Sequence, residues 1–329
     1  MNTFAPLLEA FFTERLLNQR QASPHTVAAY RDTFRLLLVF AEQATGKAPS
    51  NLDITDVDAP LVTKFLDHLQ DARNNGVRTR NLRLTAVHSL FRYASFQHPE
   101  HAALIQRVLA IPPKRFDKAM VTFLAEHEAD ALLAAPDRTR WLGRRDHALL
   151  ATALQTGLRV SELTGLTCAD IELGTGAHLR CHGKGRKERT TPLTAGTTAV
   201  LRVWLRERSG AAEHPLFPGP RGAPLSRDAV RRLVARHVAT ATEHCSSLGN
   251  KTITVHTLRH TAAMRLLQAG VDTSVIALWL GHEQARTTQI YLHADLQLKE
   301  RAIARTAQPQ VNPGRYRPPD SLLAFLEGL

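Results

Sequence analysis

A chain of 329 residues with 42 Lys+Arg against 30 Asp+Glu, a formal charge of +12 and a pI of about 10.2 has room for two ordinary domains and favours a polyanionic partner. An apolar share of 43% excludes disorder as the main state, and three cysteines without a C-x-x-C pair (Cys168, Cys181, Cys245) exclude a disulfide framework. No uncharged apolar run approaches the ~18–20 residues that cross a bilayer, and Glu9, Glu14 and Arg15 come too early for a leader, so the expectation is a cytoplasmic, nucleoid-associated protein without membrane contact.

The first hundred residues read as four helices. Phe4, Leu7, Leu8, Phe11, Phe12, Leu16 and Leu17 recur at helical spacing. Ser23-Pro24 opens a second helix, with Val27, Tyr30, Phe34, Leu37, Leu38 and Phe40 on its apolar side and Gly46 at its end. Asp58-Ala59-Pro60 opens a third, closed by the turn Asn74-Asn75-Gly76. A fourth carries Leu82, Leu84, Val87, Leu90, Phe91 and Tyr93. These last two helices display Lys64, Arg73, Arg78, Arg80, Arg83 and Arg92, a cationic set suited to phosphate contact. Residues 1–115 hold 14 Lys+Arg against 10 Asp+Glu and the remainder 28 against 20, so a nucleic-acid surface can extend over both parts.

Ile111-Pro112-Pro113-Lys114-Arg115 is the best linker candidate, because two prolines forbid a continuing helix. The expected organisation is a helical domain at 1–110, a linker at 111–121, a mixed domain at 122–306 and a proline-rich tail with a short helix at 307–329. In the mixed domain, helices are expected at Glu126–Ala135, Arg144–Thr156, Ser161–Leu166, Thr197–Arg208, Arg227–Glu243, Thr257–Gln268, Ser274–Leu280 and Thr288–His293. Ala177–Arg180 and Arg189–Leu193 read as strands of a hairpin around Gly183-Lys184-Gly185-Arg186-Lys187. The fold class is therefore mainly α with a small antiparallel sheet.

Four separate segments concentrate cationic and proton-transferring side chains: Thr156–Leu163, His182–Glu188, His256–His260, and Leu280-Gly281-His282 followed by Tyr291. Taken singly, each has an ordinary structural role as a helix stop, a hairpin turn or a core histidine. A zinc site would use His256 and His260 at i and i+4, but Thr257 stands where a zinc hydrolase has glutamate, and no third ligand accompanies them. A phosphate-binding P-loop fails because His178 stands where its first glycine belongs, and no G-x-S-x-G elbow exists for a serine hydrolase. No metal and no nucleotide cofactor is expected.

Phosphodiester transfer without metal or ATP needs preorganised cations for the charge that grows on the non-bridging oxygens. Arg159 and Arg259 can supply planar, permanently charged forks. His256 and His282 can donate hydrogen bonds or move protons, Lys184 on a turn can protonate the departing oxygen, and a tyrosine hydroxyl surrounded by cations can attack.

Together the blocks T-G-L-R-V-S-E-L, G-K-G-R-K-E-R, H-x-L-R-H and L-G-H with tyrosine nine residues on resemble those of tyrosine recombinases of the phage-integrase family, in particular the Xer-like bacterial branch. The resemblance covers about residues 117–305 and fills all six family positions with Arg159, Lys184, His256, Arg259, His282 and Tyr291, while Glu162 matches an orienting acid. It implies a two-domain DNA clamp in which Tyr291 attacks the scissile phosphate to leave a 3′-phosphotyrosyl link. It also implies that Arg159 and Arg259 bind the phosphate, that Lys184 protonates the leaving oxygen, and that His256 and His282 assist. His260 is expected as a support within the helix, and Arg80, Arg83, Arg186 and Lys187 as DNA contacts. The implied partners are double-stranded DNA and three further copies of the chain on two recombination sites, with a paralogous recombinase as an optional companion. The implied task is integration, excision or transposition. Two rivals from other classes stay open at this level: a catalytically silent DNA-binding protein, and a type IB topoisomerase with the same phosphotyrosine chemistry.

Overall fold

The computed structural model describes residues 4–117, 121–183, 188–208, 210–281, 288 and 290–291. The chain divides into two compact units, Met1–Lys118 and Ala119–Leu329. Each has its own buried core, and the whole is mainly helical with one small antiparallel sheet.

In the first unit, α1 (Phe4–Ala10) runs directly into a π-helical segment, Phe11–Gln19. Its wider turns change the phase of the apolar stripe, so Leu16 is buried while Leu17, expected beside it, is 50% exposed. Ser23 caps α2 (Pro24–Thr45) by accepting from the Thr26 amide, and Gly46 closes it at φ 72°. Asp58 caps α3 (Ala59–Asp71) through the Leu61 amide at 2.9 Å. Next come α4 (Val77–Gln97) and α5 (Ala102–Leu109), the latter absent from the expected set. The core centres on the Phe11 ring, which meets Phe12, Tyr30, Phe34 and Tyr93 at centroid distances of 5.8, 6.2, 6.0 and 5.8 Å. The fully buried rings among them, Phe11 and Phe34, each contribute roughly 1.5–3 kcal/mol.

One expectation for this unit is corrected. Arg80 is not a surface cation: it is 3% exposed, with Nη1 donating to Asn81 Oδ1 and to the Pro112 carbonyl. Arg83 is half-buried and spends Nη1 on the Ala29 carbonyl and Thr33 Oγ1 of α2. At the start of the expected linker, Ile111 joins the first core and Lys114 exchanges two hydrogen bonds with Asn81.

In the second unit, α6 (Glu126–Ala134) starts where the Ala125 amide donates to Glu128, a buried carboxylate that also accepts from Ser247 and Lys251. The central α7 (Trp141–Thr156) begins three residues before its expected start and is buried along most of its length. Gly157 ends it at φ 64°, and α8 (Val160–Gly165) follows. The sheet orders β1 (Ile171–Glu172), β2 (His178–His182) and β3 (Glu188–Pro192) in sequence, all antiparallel, with Leu179 opposite Thr191 and Cys181 opposite Arg189. β1, at two residues, is the strand that pattern reading missed. Completing the unit are α9 (Ala195–Arg208), α10 (Arg227–Thr242), α11 (Val255–Gln268) and α12 (Thr273–Leu280). Thr288, Ile290 and Tyr291 are helical, and the tail at 307–329 lies outside the described residues.

Asp146 of α7 is fully buried. Oδ1 accepts two bonds from Arg145, and Oδ2 accepts from Arg236 at 2.7 Å and meets His237 Nε2 at 2.8 Å. Burial alone would raise its pKa, but the hydrogen bonds from His237 and Arg145 outweigh it and hold the carboxyl below its ordinary value.

Gly157 is a tight point of this packing. A Cβ there would lie 2.6 Å from Leu280 Cδ2 and 3.1 Å from Ala262 Cβ, on a backbone already at φ +64°. Gly157→Ala is expected to destabilise the second unit by about 2–4 kcal/mol. All three tryptophans (Trp141, Trp204, Trp279) belong to that unit, so urea denaturation followed by tryptophan fluorescence reads it alone. An unchanged midpoint would contradict the prediction.

Candidate active site

The site grows from two helix ends. An α-helix leaves its last four carbonyls without intrahelical partners, and these carry partial negative charge. At the end of α7, the Gly157 carbonyl accepts from Arg259 Nη1 at 2.7 Å; at the end of α12, the Leu280 carbonyl accepts from Arg259 Nη2 at 2.7 Å. Arg259 sits on α11, whose start is fixed by Thr254 capping the Thr257 amide. Its guanidinium is 2% exposed, and burial, with Arg159 nearby, lowers its pKa to about 10, which still leaves it charged at neutral pH.

Arg159 caps α8 from the residue after Leu158. Nη2 donates to the Gly281 carbonyl at 2.7 Å and Nη1 to Glu162 Oε1 at 2.7 Å, while its own backbone amide donates to Glu162 Oε2. The Glu162 side chain is only 3% exposed. Burial would raise its pKa, yet hydrogen bonds from Arg189 and from the Arg159 amide overcome that, and the group stays ionised below its ordinary value.

Arg189 was not among the expected site residues. It faces Glu162 from β3 with Nη1 at 3.0 Å from Oε1 and Nη2 at 2.8 Å from Oε2. Its signal in the sequence is the two-residue period of β3, which places it on the same face as the buried Thr191.

Tyr291 is 1% exposed, packed with Ala263, Met264, Leu267, Ile276 and Leu280. His260 Nδ1 lies 3.1 Å from its hydroxyl, and the two rings meet edge to face. His260 is thus more than the helix support expected of it, because it touches the candidate nucleophile. His256 stacks edge-on against His260 with centroids 4.3 Å apart. Burial raises the Tyr291 pKa more than Arg259 lowers it, the opposite of a phenol simply acidified by cations. Burial also lowers both imidazoles, with Arg259 acting in the same sense: His256 goes down, and His260, facing His256 as well, falls to about 4. Among the described residues, no three His, Cys, Asp or Glu side chains gather as metal ligands. The structure therefore brings together Arg159, Glu162, His256, Arg259, His260 and Tyr291. Lys184, Arg186, Lys187 and His282 lie outside the described residues.

Two family models match the chain: the phage integrase family over residues 122–297 and the phage integrase N-terminal SAM-like domain over residues 10–98. The protein y4rC of Sinorhizobium fredii, described as an integrase/recombinase, is 58% identical over 99% of this chain and 98% of its own length. Tyrosine recombinase XerC of Pelobacter propionicus is 35% identical over 93% of this chain and 99% of its own. Among solved structures, the Tn1549 transposon integrase in complex with circular-intermediate DNA shares the fold with a TM-score of 0.70 at 17% identity, over 93% of this chain and 100% of that one. XerH site-specific recombinase bound to its difH substrate does so with a TM-score of 0.67 at 23% identity, over 87% and 81%. The chain belongs to the phage integrase family, the tyrosine recombinases, and is a site-specific recombinase.

His260 carries a pH dependence with a definite sign. Its folded pKa of about 4 lies below the ordinary 6.5, so the unfolded chain binds the proton first. Its contribution to stability is complete above pH 6.5 and is lost as pH falls toward 4. His260→Asn is expected to flatten the fall of the tryptophan-monitored urea midpoint between pH 7 and 4.5. His256 titrates in the same sense and should preserve part of the slope. Identical slopes in variant and wild type would contradict this assignment.

Proposed function

We propose that the chain cleaves and rejoins duplex DNA through Tyr291. The hydroxyl attacks the scissile phosphate to form a 3′-phosphotyrosyl link and a free 5′-hydroxyl, which later attacks in reverse. The observation that supports this best is the pair Arg159 and Arg259, fixed by three helix-end carbonyls beside the Tyr291–His260 hydrogen bond. Guanidiniums already held in place need no reorganisation as charge develops on the phosphate oxygens. They bind the non-bridging oxygens, and His256 adds a hydrogen bond. His260, neutral at physiological pH, takes the phenolic proton as the O–P bond forms, and its low pKa favours returning it in the reverse step. Lys184 supplies the proton for the departing 5′-oxygen and His282 assists. The phosphotyrosine conserves the energy of the broken phosphodiester, so rejoining requires neither ATP nor metal.

In this reading the first unit is the DNA-gripping, core-binding half and the second is catalytic. Four copies assemble on two DNA sites, with Arg186 and Lys187 at phosphates. The relatives y4rC and y4rD occur in one organism, which supports a paralogous companion in that assembly. The task proposed is DNA integration, excision or transposition, carried out at the nucleoid in the cytoplasm.

Tyr291→Phe is expected to bind a nicked suicide duplex as tightly as wild type while forming no covalent adduct, read as a shifted band on a denaturing gel. An adduct on the variant would point to another nucleophile, and none on a DNA-bound wild type would leave only a binding protein. Lys184→Ala is expected to slow cleavage of an ordinary 5′-oxygen substrate at least ~100-fold while sparing a 5′-thio substrate, whose leaving group needs no proton. Equal slowing of both would contradict the acid role.

A further inference from the structure

Glu162 and Arg189 form a second tier behind the phosphate-binding pair. A carboxylate has about four lone-pair positions, and Glu162 has four donors. Oε1 accepts from Arg159 Nη1 and Arg189 Nη1, and Oε2 accepts from the Arg159 amide and Arg189 Nη2. Every acceptor position is therefore taken, half of them by Arg189. The Arg189 side chain is 12% exposed, both its terminal nitrogens point at Glu162, and its Nε is buried with no partner among the described residues. Such a guanidinium has little left to offer a DNA phosphate.

We infer that Arg189 is a positioning residue of the recombination site, which saturates Glu162 so that Arg159 meets this carboxylate through one guanidinium nitrogen only and presents its remaining N–H groups to the scissile phosphate. The inference rests on the assignment of Arg159 made above.

The physical reason is competition for one fork. Arginine and carboxylate prefer a bidentate, parallel pair. Arg189 occupies that arrangement, and the Arg159 guanidinium is left with one bond to Glu162 and one to the Gly281 carbonyl. Without Arg189, two acceptor positions on Glu162 would open beside Arg159. Its guanidinium would then rotate into the vacated pair and be neutralised by it.

The backbone supports the same placement. Cys181 stands opposite Arg189 in the β2–β3 register, and the buried Leu179, Cys181 and Thr191 share its face. Pleat alternation thus commits Arg189 to the interior. Gly281 completes the fit, since a Cβ there would lie 2.6 Å from Arg189 Nη1. The glycine of the L-G-H block therefore leaves room for this arginine as well as adopting φ 64°.

The test is a double-variant cycle on the full-length chain with a nicked suicide duplex, reading adduct formation rate and the salt dependence of DNA binding. Arg189→Met should bind DNA with an unchanged salt slope but cleave ~100-fold or more slowly, the scale of losing one preorganised donor. Adding Glu162→Gln removes the charge that captures Arg159, and the double variant should cleave at least ~10-fold faster than Arg189→Met alone. Arg189→Lys keeps the charge but only one nitrogen, should fall between wild type and methionine, and carries the comparison if the methionine variant does not fold. A double variant no faster than Arg189→Met would overturn the inference. So would a salt slope lower by about one, which marks a direct phosphate contact. If wild type forms no adduct, the recombinase site itself fails; if only the cycle fails, Arg189 alone is misassigned.

Discussion

The catalytic unit depends on a shortage inherent in helices: carbonyls at a carboxy-terminal end have nothing within the helix to bind. Here Gly157, Leu280 and Gly281 end α7 and α12, and their carbonyls hold Arg259 and Arg159. Helix ends that would otherwise need water are satisfied, and guanidiniums too costly to bury alone are paired with negative dipole ends. Each side solves the other's problem, so Arg159 and Arg259 are fixed by the same bonds that hold the helices together. The two glycines sit where they do because the chain must turn through positive φ with little room for a side chain.

The same unit repeatedly buries carboxylates and surrounds them with three or four donors. Glu128, Asp146 and Glu162 are each buried and each accept from several donors on other elements. A lone buried carboxylate would be expensive, but one with every position filled is a rigid junction between segments distant in sequence. Glu162 differs from the other two in joining Arg159 of the candidate site to a second arginine, Arg189. A junction that elsewhere fastens helices here also holds the side chain of Arg159.

The helices of the first unit were legible because long apolar stripes and strong caps, such as Ser23-Pro24 and Asp58, agree on them. What escaped was short or irregular: the eight-residue α5, the two-residue β1, and the π-turns that swing Leu17 outward. Leu82, expected on an apolar face, is 65% exposed for a related reason, since its neighbours Arg80 and Leu84 face inward instead. At the site, residue types and spacing singled out Arg159, Glu162, His256, Arg259 and Tyr291. They could not show that Arg80 turns inward, that His260 reaches the tyrosine hydroxyl, or that Arg189 belongs with Glu162. Those facts arise from contacts across 31 and 32 residues in two cases and from a strand register in the third, none of which composition or period encodes.

The bonds that close the second unit join its two ends. The Leu124 amide donates to Thr261, Lys251 reaches back to Glu128, and Arg159 waits for Gly281, separations of 137, 123 and 122 residues. During synthesis the first unit can therefore finish while the second is still an open chain, in which Glu128 awaits Lys251 and Asp146 awaits Arg236 and His237. The cluster of Arg159, Arg259, His260 and Tyr291 is then among the last parts to exist. A nascent or prematurely ended polypeptide can acquire the first unit while the second is incomplete, and the contacts that close the candidate site arrive only with nearly the whole protein.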